Sequence, residues 1–206
     1  MGAVMPTFVA LLRGINVGKA KRIPMADLRA LLAGLGYTNV TTLLNSGNAV
    51  FHAAQGSPAA HASAISSAIA ERLRLAVPVI VKSAKEFVAI AAANPMTGKS
   101  INPTRVLIAI AQDSSALSQL ASIRARVRPP ERFVLGRNAA YFHCPDGILK
   151  SEAAAGLLGK LTATITTRNL ATVKNLLVRA GDPGARRSAS SAGSRRRKDQ
   201  ARVDVQ

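Results

Sequence analysis

The stretch NVTTLLNSGNAVFH, residues 39–52, decides the fold. Two short runs rich in Thr, Val, Leu and Phe flank Asn-Ser-Gly, and a tight polar turn between two such runs is the signature of a β-hairpin. Before the hairpin, PMADLRALLAGLG (24–36) reads as a helix, with proline in its first turn, a glycine stop, and Leu28, Leu31, Leu32 and Leu35 on one face. Before that, TFVALL (7–12) is a short buried strand. After the hairpin, SPAAHASAISSAIAERLRLA (57–76) reads as a second helix and VPVIVK (77–82) as a strand. The order β-α-β-β-α-β is the ferredoxin-like arrangement.

The same rhythm returns downstream. AKEFVAIAAAN (84–94) is helical and RVLIAIA (105–111) is a strong strand. SSALSQLASIRARV (114–127) is expected to be helical, with Ser114 or Ser115 as cap. RFVLG and AAYFH flank the turn GRN, SEAAAGLLGKL (151–161) is helical, TATIT (162–166) is a last strand and RNLATVKNLLVRA (168–180) a closing helix. The expectation is an α+β chain of two ferredoxin-like units packed as one globular protein, residues 1–83 and 84–180, with a disordered basic tail over 181–206. That tail, rich in Gly, Ser and Arg, has too few apolar residues to offset the entropy of folding.

Composition narrows the function classes. With 206 residues and about half of them apolar, a sizeable core is within reach. No apolar run approaches the ~18 residues of a membrane span, and MGAVMPTFVALL has neither the basic flank of a signal peptide nor a myristoylation pattern. A lone cysteine, Cys144, rules out an internal disulfide. The expected compartment is the cytoplasm, with no membrane partner and no cofactor. Net charge is +18, and 21 Lys/Arg against 7 Asp/Glu fall before residue 181, so the basicity is not a tail effect. Such a field attracts nucleic acid or phosphorylated metabolites. An Arg-heavy composition with solvated arginines accounts for the charge equally well, and five Phe and two Tyr leave little to stack bases.

The other informative stretch is LLRGINVGKAKRIPM, residues 11–25. In a β-α-β-β-α-β unit the first and third strands are antiparallel neighbours, so the end of strand one lies beside the start of strand three. That brings Arg13, Asn16, Lys19, Lys21 and Arg22 to the same edge as Asn45, Ser46 and Asn48 of the hairpin. Cations, carboxamides and backbone N–H groups are what an anion requires, and the helix starting near Pro24 adds the positive end of its dipole. The competing account is local: Gly14 and Gly18 for positive φ, Asn16, Asn45 and Asn48 for turns. A second polar cluster lies in the other half, with Lys150 beside a cap at Ser151, and Arg168 and Asn169 opening the last helix behind Thr166 or Thr167. Plain capping explains this cluster too.

Enzyme motifs fail on inspection. GINVGKA has its glycines one residue too close for a Walker loop, with Ala20 in place of Ser or Thr, and NPMTGKS has Ala93 where the first glycine belongs. No G-x-S-x-G elbow and no metal-ligating histidine pair exists. His143 and Cys144 are strand neighbours on opposite faces, Cys144 is expected to be a buried hydrophobe, and His52 and His61 are expected at the surface. No catalytic residue is assigned.

FVALLRGINVG, IPMADLRALLAGLGYTNVTTLLNSGNAVF, PDGILKSEAAAGLLGKL and TTRNLATVKNLL, in this order over residues 7 to about 180, together resemble the bacterial family catalogued as domain of unknown function 1697. The resemblance implies an α+β protein with ferredoxin-like subdomains and no established reaction, substrate or cofactor. This chain departs from the family pattern at Lys19, where a second glycine is usual, at Asn45, where glutamine is usual, and at Leu170, where tryptophan is usual. The expectation for function is an anion-binding protein, its partner nucleic acid or a phosphorylated metabolite, using the edge of residues 13–22 and 45–48. The alternatives are an enzyme on a small phosphorylated or carboxylated substrate clamped by Arg13, Lys21 and Arg168, and a dimer whose interface is that edge.

Overall fold

Strand β1 (Thr7–Leu12) is an unbroken apolar run because both of its faces are covered. In the computed structural model, which describes residues 5–17, 21–98 and 100–181, Phe8, Ala10 and Leu12 face one cluster and Val9 and Leu11 another. The chain continues through α1 (Met25–Gly34), β2 (Thr38–Leu43), β3 (Asn48–His52), α2 (Pro58–Leu73) and β4 (Val79–Ser83). These strands form an antiparallel sheet in the order β2-β3-β1-β4, the ferredoxin-like order expected from the hairpin. Edge strand β2 carries exposed threonines, while the inner strands are buried.

After α3 (Ala84–Ala92) the pattern repeats with β5 (Val106–Ala111), β6 (Arg132–Leu135), β7 (Ala139–His143), α4 (Glu152–Gly159), β8 (Ile165–Asn169) and α5 (Leu170–Arg179). The second sheet runs β6-β7-β5-β8, again antiparallel. Strand β5 is a second run buried on both faces: Val106, Ile108 and Ile110 share the central cluster with Val9, Leu11 and Ile80 of the first sheet. Helices α3 and α5 fill that centre through Phe87, Ile90, Val173 and Leu176. The α1 and α2 helices cover the outer face of the first sheet, and α4 covers that of the second.

Three local features sharpen or correct the expectations. First, the helix expected over 114–127 forms over Ser114–Arg126 and is a 3-10 run. Its buried residues Leu117, Leu120 and Ile123 recur every three positions, which suits the three-residue turn of a 3-10 helix. Ser118 and Gln119 also donate to the carbonyls of Ser115 and Ala116 three residues back, competing with the α-helical bonds. Second, Asp113, not Ser114 or Ser115, caps that run. Third, Arg168 and Asn169 close β8 and do not begin a helix; Asn169 is the cap of α5, accepting from the Thr172 N–H at 2.8 Å. The expected tail beyond Gly181 lies outside the described residues.

His61, expected at the surface, is buried on the inner face of α2 with Ala62, Ile65 and Ile69. Phe8, Phe51 and Tyr37 surround it, and the Tyr37 hydroxyl is 2.9 Å from Nδ1. Its Nε2 has no partner. Gly56, at φ +110°, is required here, since a Cβ would stand 2.7 Å from the imidazole. Burial lowers the His61 pKa below the usual 6.5. The folded chain therefore holds this histidine neutral while the unfolded chain protonates it, so stability is present above pH 6.5 and drains away as pH falls from there toward the folded value. Urea melts at pH 7.5 and 5.5 should show a lower midpoint at the acid pH for the wild type and a smaller difference for His61→Leu.

Candidate functional site

The register Leu11↔Asn48 sets the end of β1 beside the start of β3, so the basic loop and the hairpin share one edge, as expected. Leaving β1, the chain turns at Gly14 (φ +69°) and again at Asn16 (φ 55°), a residue type that tolerates the left-handed region. The Asn16 carboxamide is fully used. Its Oδ1 accepts from the Ile23 N–H at 2.9 Å, and its Nδ2 donates to the carbonyls of Ile23 at 3.0 Å and Asn45 at 2.6 Å. One side chain thus closes the loop and ties it to the hairpin.

The hairpin is equally determined. Gly47 (φ +74°) packs so closely that a Cβ would stand 2.7 Å from that of Leu12. Asn48 is fully buried, and its Nδ2 donates to the Leu43 carbonyl at 2.9 Å and the Ser46 hydroxyl at 3.0 Å. Its Oδ1 accepts from Nε of Arg168, which reaches across from the second sheet.

Arg168 spends every part of its guanidinium on the protein. Nη1 donates to Thr166 Oγ1 at 2.9 Å and the Thr167 carbonyl at 2.7 Å; Nη2 donates to the carbonyls of Leu12 at 2.6 Å and Ser46 at 3.2 Å. Burial pushes its pKa down to about 10, leaving it charged at neutral pH. Two other cations are also engaged: Arg13 Nη1 donates to the Thr162 carbonyl, and Lys21 Nζ to the Ala76 carbonyl at 2.8 Å. What remains open is a cleft of about 360 Å³ lined by Asn16, Arg22, Ile23, Pro24, Met25 and Asn45. Arg22 and Asn45 are exposed there, and α1 begins at Pro24 without a side-chain cap.

The expected site residues therefore divide. Asn16, Asn45, Ser46, Asn48 and Arg168 come together, with Asn16, Asn48 and Arg168 as the framework. Arg13 and Lys21 are turned to other carbonyls, Asn169 caps a helix, and Lys150 lines a different cleft beside Arg126 and Arg128. Lys19 lies outside the described residues. Lys82, inside the apolar strand VPVIVK, drew no expectation, yet it is a buried cation lining the interior of a third cleft. A lysine in an apolar strand was the signal for it. Among the described residues no group of His, Cys, Asp or Glu side chains could hold a metal ion, and no helix is long and apolar enough to cross a membrane.

Two antiparallel four-stranded sheets around a shared core, with a loop and hairpin locked by asparagines and one arginine, define an α+β protein of ferredoxin-like topology. The family model described as Protein of unknown function (DUF1697) matches residues 5–141, and the chain belongs to that family. Among solved structures it is similar to the conserved bacterial protein SP0830 from Streptococcus pneumoniae, at 23% identity and a TM-score of 0.71, covering 86% of this chain and 99% of that one. That likeness concerns the fold. None of the curated proteins matches the chain.

Arg168→Lys keeps the charge but a single ammonium cannot reach acceptors on Asn48, Leu12 and Thr166 together. The variant should lose roughly 2–3 kcal/mol, the cost of leaving several buried acceptors unpaired, read as a lower midpoint in urea denaturation.

Proposed function

We propose that the protein binds an anionic ligand, a phosphate- or carboxylate-bearing group, at the edge formed by residues 13–22 and 45–48. The observation that carries this reading is the cleft of about 360 Å³ where Arg22 and Asn45 stand exposed beside the uncapped start of α1. The first N–H groups of a helix lack intrahelical partners and carry the positive end of its dipole, and a guanidinium and a carboxamide complete the donor set. Asn16 and Arg168 hold the walls in place, so little ordering is needed on binding. Nucleic acid, through its backbone phosphates, and a phosphorylated metabolite both offer the required chemistry. An enzymatic use of this edge is less well supported, because the cleft lining contains no His, Cys, Asp or Glu to serve as a general base.

Titration of the full chain with short RNA and DNA at several salt concentrations, and a thermal-shift screen of phosphorylated and carboxylated metabolites, test the reading. At least one probe should bind. Arg22→Ala should weaken it about tenfold, the worth of one charge-assisted hydrogen bond, and reduce a nucleic-acid salt slope by about one. Because Arg22 is exposed, the unfolding midpoint should not change. Absence of binding at low salt, or equal affinity of the wild type, Arg22→Ala and Asn45→Ala, overturns the reading.

A further inference from the structure

A larger cleft, of about 670 Å³, lies between α3 and β4 of the first half and the segment after β5 of the second. Its size falls within the range of small-molecule sites, and junctions between packed units are where such sites concentrate. Lys82 lines it from β4, only 8% exposed. Its Nζ donates to the Gln112 carbonyl at 2.8 Å and stands 3.8 Å from the Glu86 carboxylate. Gln112 is itself pinned, since its Oε1 accepts from the Val81 N–H at 2.8 Å. The amine is therefore held at a defined point of the cleft wall. Ile90 supplies an apolar surface nearby, and Asn138 and Ser114 supply polar groups.

We infer that Lys82 is a nucleophilic amine and that this cleft receives a small aldehyde or ketone, which it joins as an imine. The inference stands apart from the anion edge and does not depend on it. Burial lowers the Lys82 pKa, opposed by Glu86 and Asp113. A larger fraction of uncharged amine is thus present near neutral pH than on an exposed lysine. The charged groups that face it are those two carboxylates, with the exposed Lys85 lining the same cleft. Asp113 is committed to the Ser115 N–H, and one oxygen of Glu86 to the N–H and hydroxyl of Ser83. The other oxygen of Glu86 is the one near Nζ.

The chemistry balances without an oxidant or reductant. The nitrogen lone pair attacks the carbonyl carbon, a C–N bond forms and the C=O π pair moves to oxygen. Glu86 takes one proton from the nitrogen and passes it to the oxygen, giving a carbinolamine. A second proton delivered through Glu86 lets that hydroxyl leave as water while the nitrogen lone pair closes the C=N bond, and the remaining N–H proton returns to Glu86 to complete the imine. Amine plus carbonyl becomes imine plus water.

The test uses the wild-type full chain with benzaldehyde as the carbonyl probe and cyanoborohydride to trap the imine, followed by peptide mapping of each lysine over time. Lys85, Lys150, Lys160 and Lys174, all exposed, are internal standards. Lys82 should be benzylated faster than any of these at pH 7, because burial lowers its pKa and leaves a larger fraction of it as free amine. Its rate should also reach half-maximum at a lower pH than theirs. Labelling of Lys82 at or below the rate of the exposed lysines, or with the same pH profile, overturns the inference and leaves Lys82 as a peg between β4 and Gln112.

Discussion

The structure turns on one half-buried charge that has no carboxylate. Arg168, at the end of β8, is met by Asn48 Oδ1, Thr166 Oγ1 and the carbonyls of Thr167, Leu12 and Ser46. Moving a guanidinium out of water is costly, and here neutral dipoles aimed at its N–H groups offset that cost. Three of those acceptors, Asn48, Leu12 and Ser46, belong to the first sheet, and Thr166 and Thr167 to the second. The full set exists only when both sheets are docked in this register. The apolar centre, with Phe87, Ile90, Val173 and Leu176, drives the two sheets together without direction. Arg168 supplies the direction, and through Ser46 and Asn48 it also settles the shape of the hairpin.

What could be read from the letters was what periodicity carries. Runs such as TFVALL and RVLIAIA, buried on both faces, and the Asn-Ser-Gly turn specify strands whatever surrounds them, and from their order follow both sheets. The juxtaposition of loop and hairpin followed from topology alone. Features fixed by packing from far along the chain were not legible. His61 sits in an alanine-rich helix that gives no hint of Phe8, Phe51 and Tyr37 closing over it. Ser114–Arg126 carries both a helical composition and a three-residue spacing of Leu117, Leu120 and Ile123, and only burial of that spacing decides for the 3-10 form. Arg168 reads as a helix-start cation until its partner at Leu12, far away in sequence, is known.

Asn45, at the loop edge, and Leu170, opening the last helix, have different surroundings. Leu170 is buried in the central cluster, where its side chain serves the core. Asn45 is exposed at the cleft, and its backbone carbonyl, not its side chain, receives the bond from Asn16. Substitution there changes what the cleft presents while leaving the loop-to-hairpin link intact. At the edge itself the backbone of residue 45 holds the link and its side chain faces the cleft.

Net charge is a poor guide to how much of that offer is cationic. With few acidic residues to pair with, the basic side chains of this chain turn to backbone carbonyls: Arg13 to Thr162, Lys21 to Ala76, Lys82 to Gln112, Arg168 to several at once. Among the described residues a single ion pair, Lys82 with Glu86, stands beside them. Each carbonyl-bound cation still adds to the long-range field that draws an anion toward the surface. Each such bond commits part of the side chain's donor set to the fold, wholly for Arg168 and in part for Arg13 and Lys21. The charge that sets the long-range field and the donors still open at the surface are therefore different quantities, and at the loop edge Arg22 is an exposed cation beside the first turn of α1.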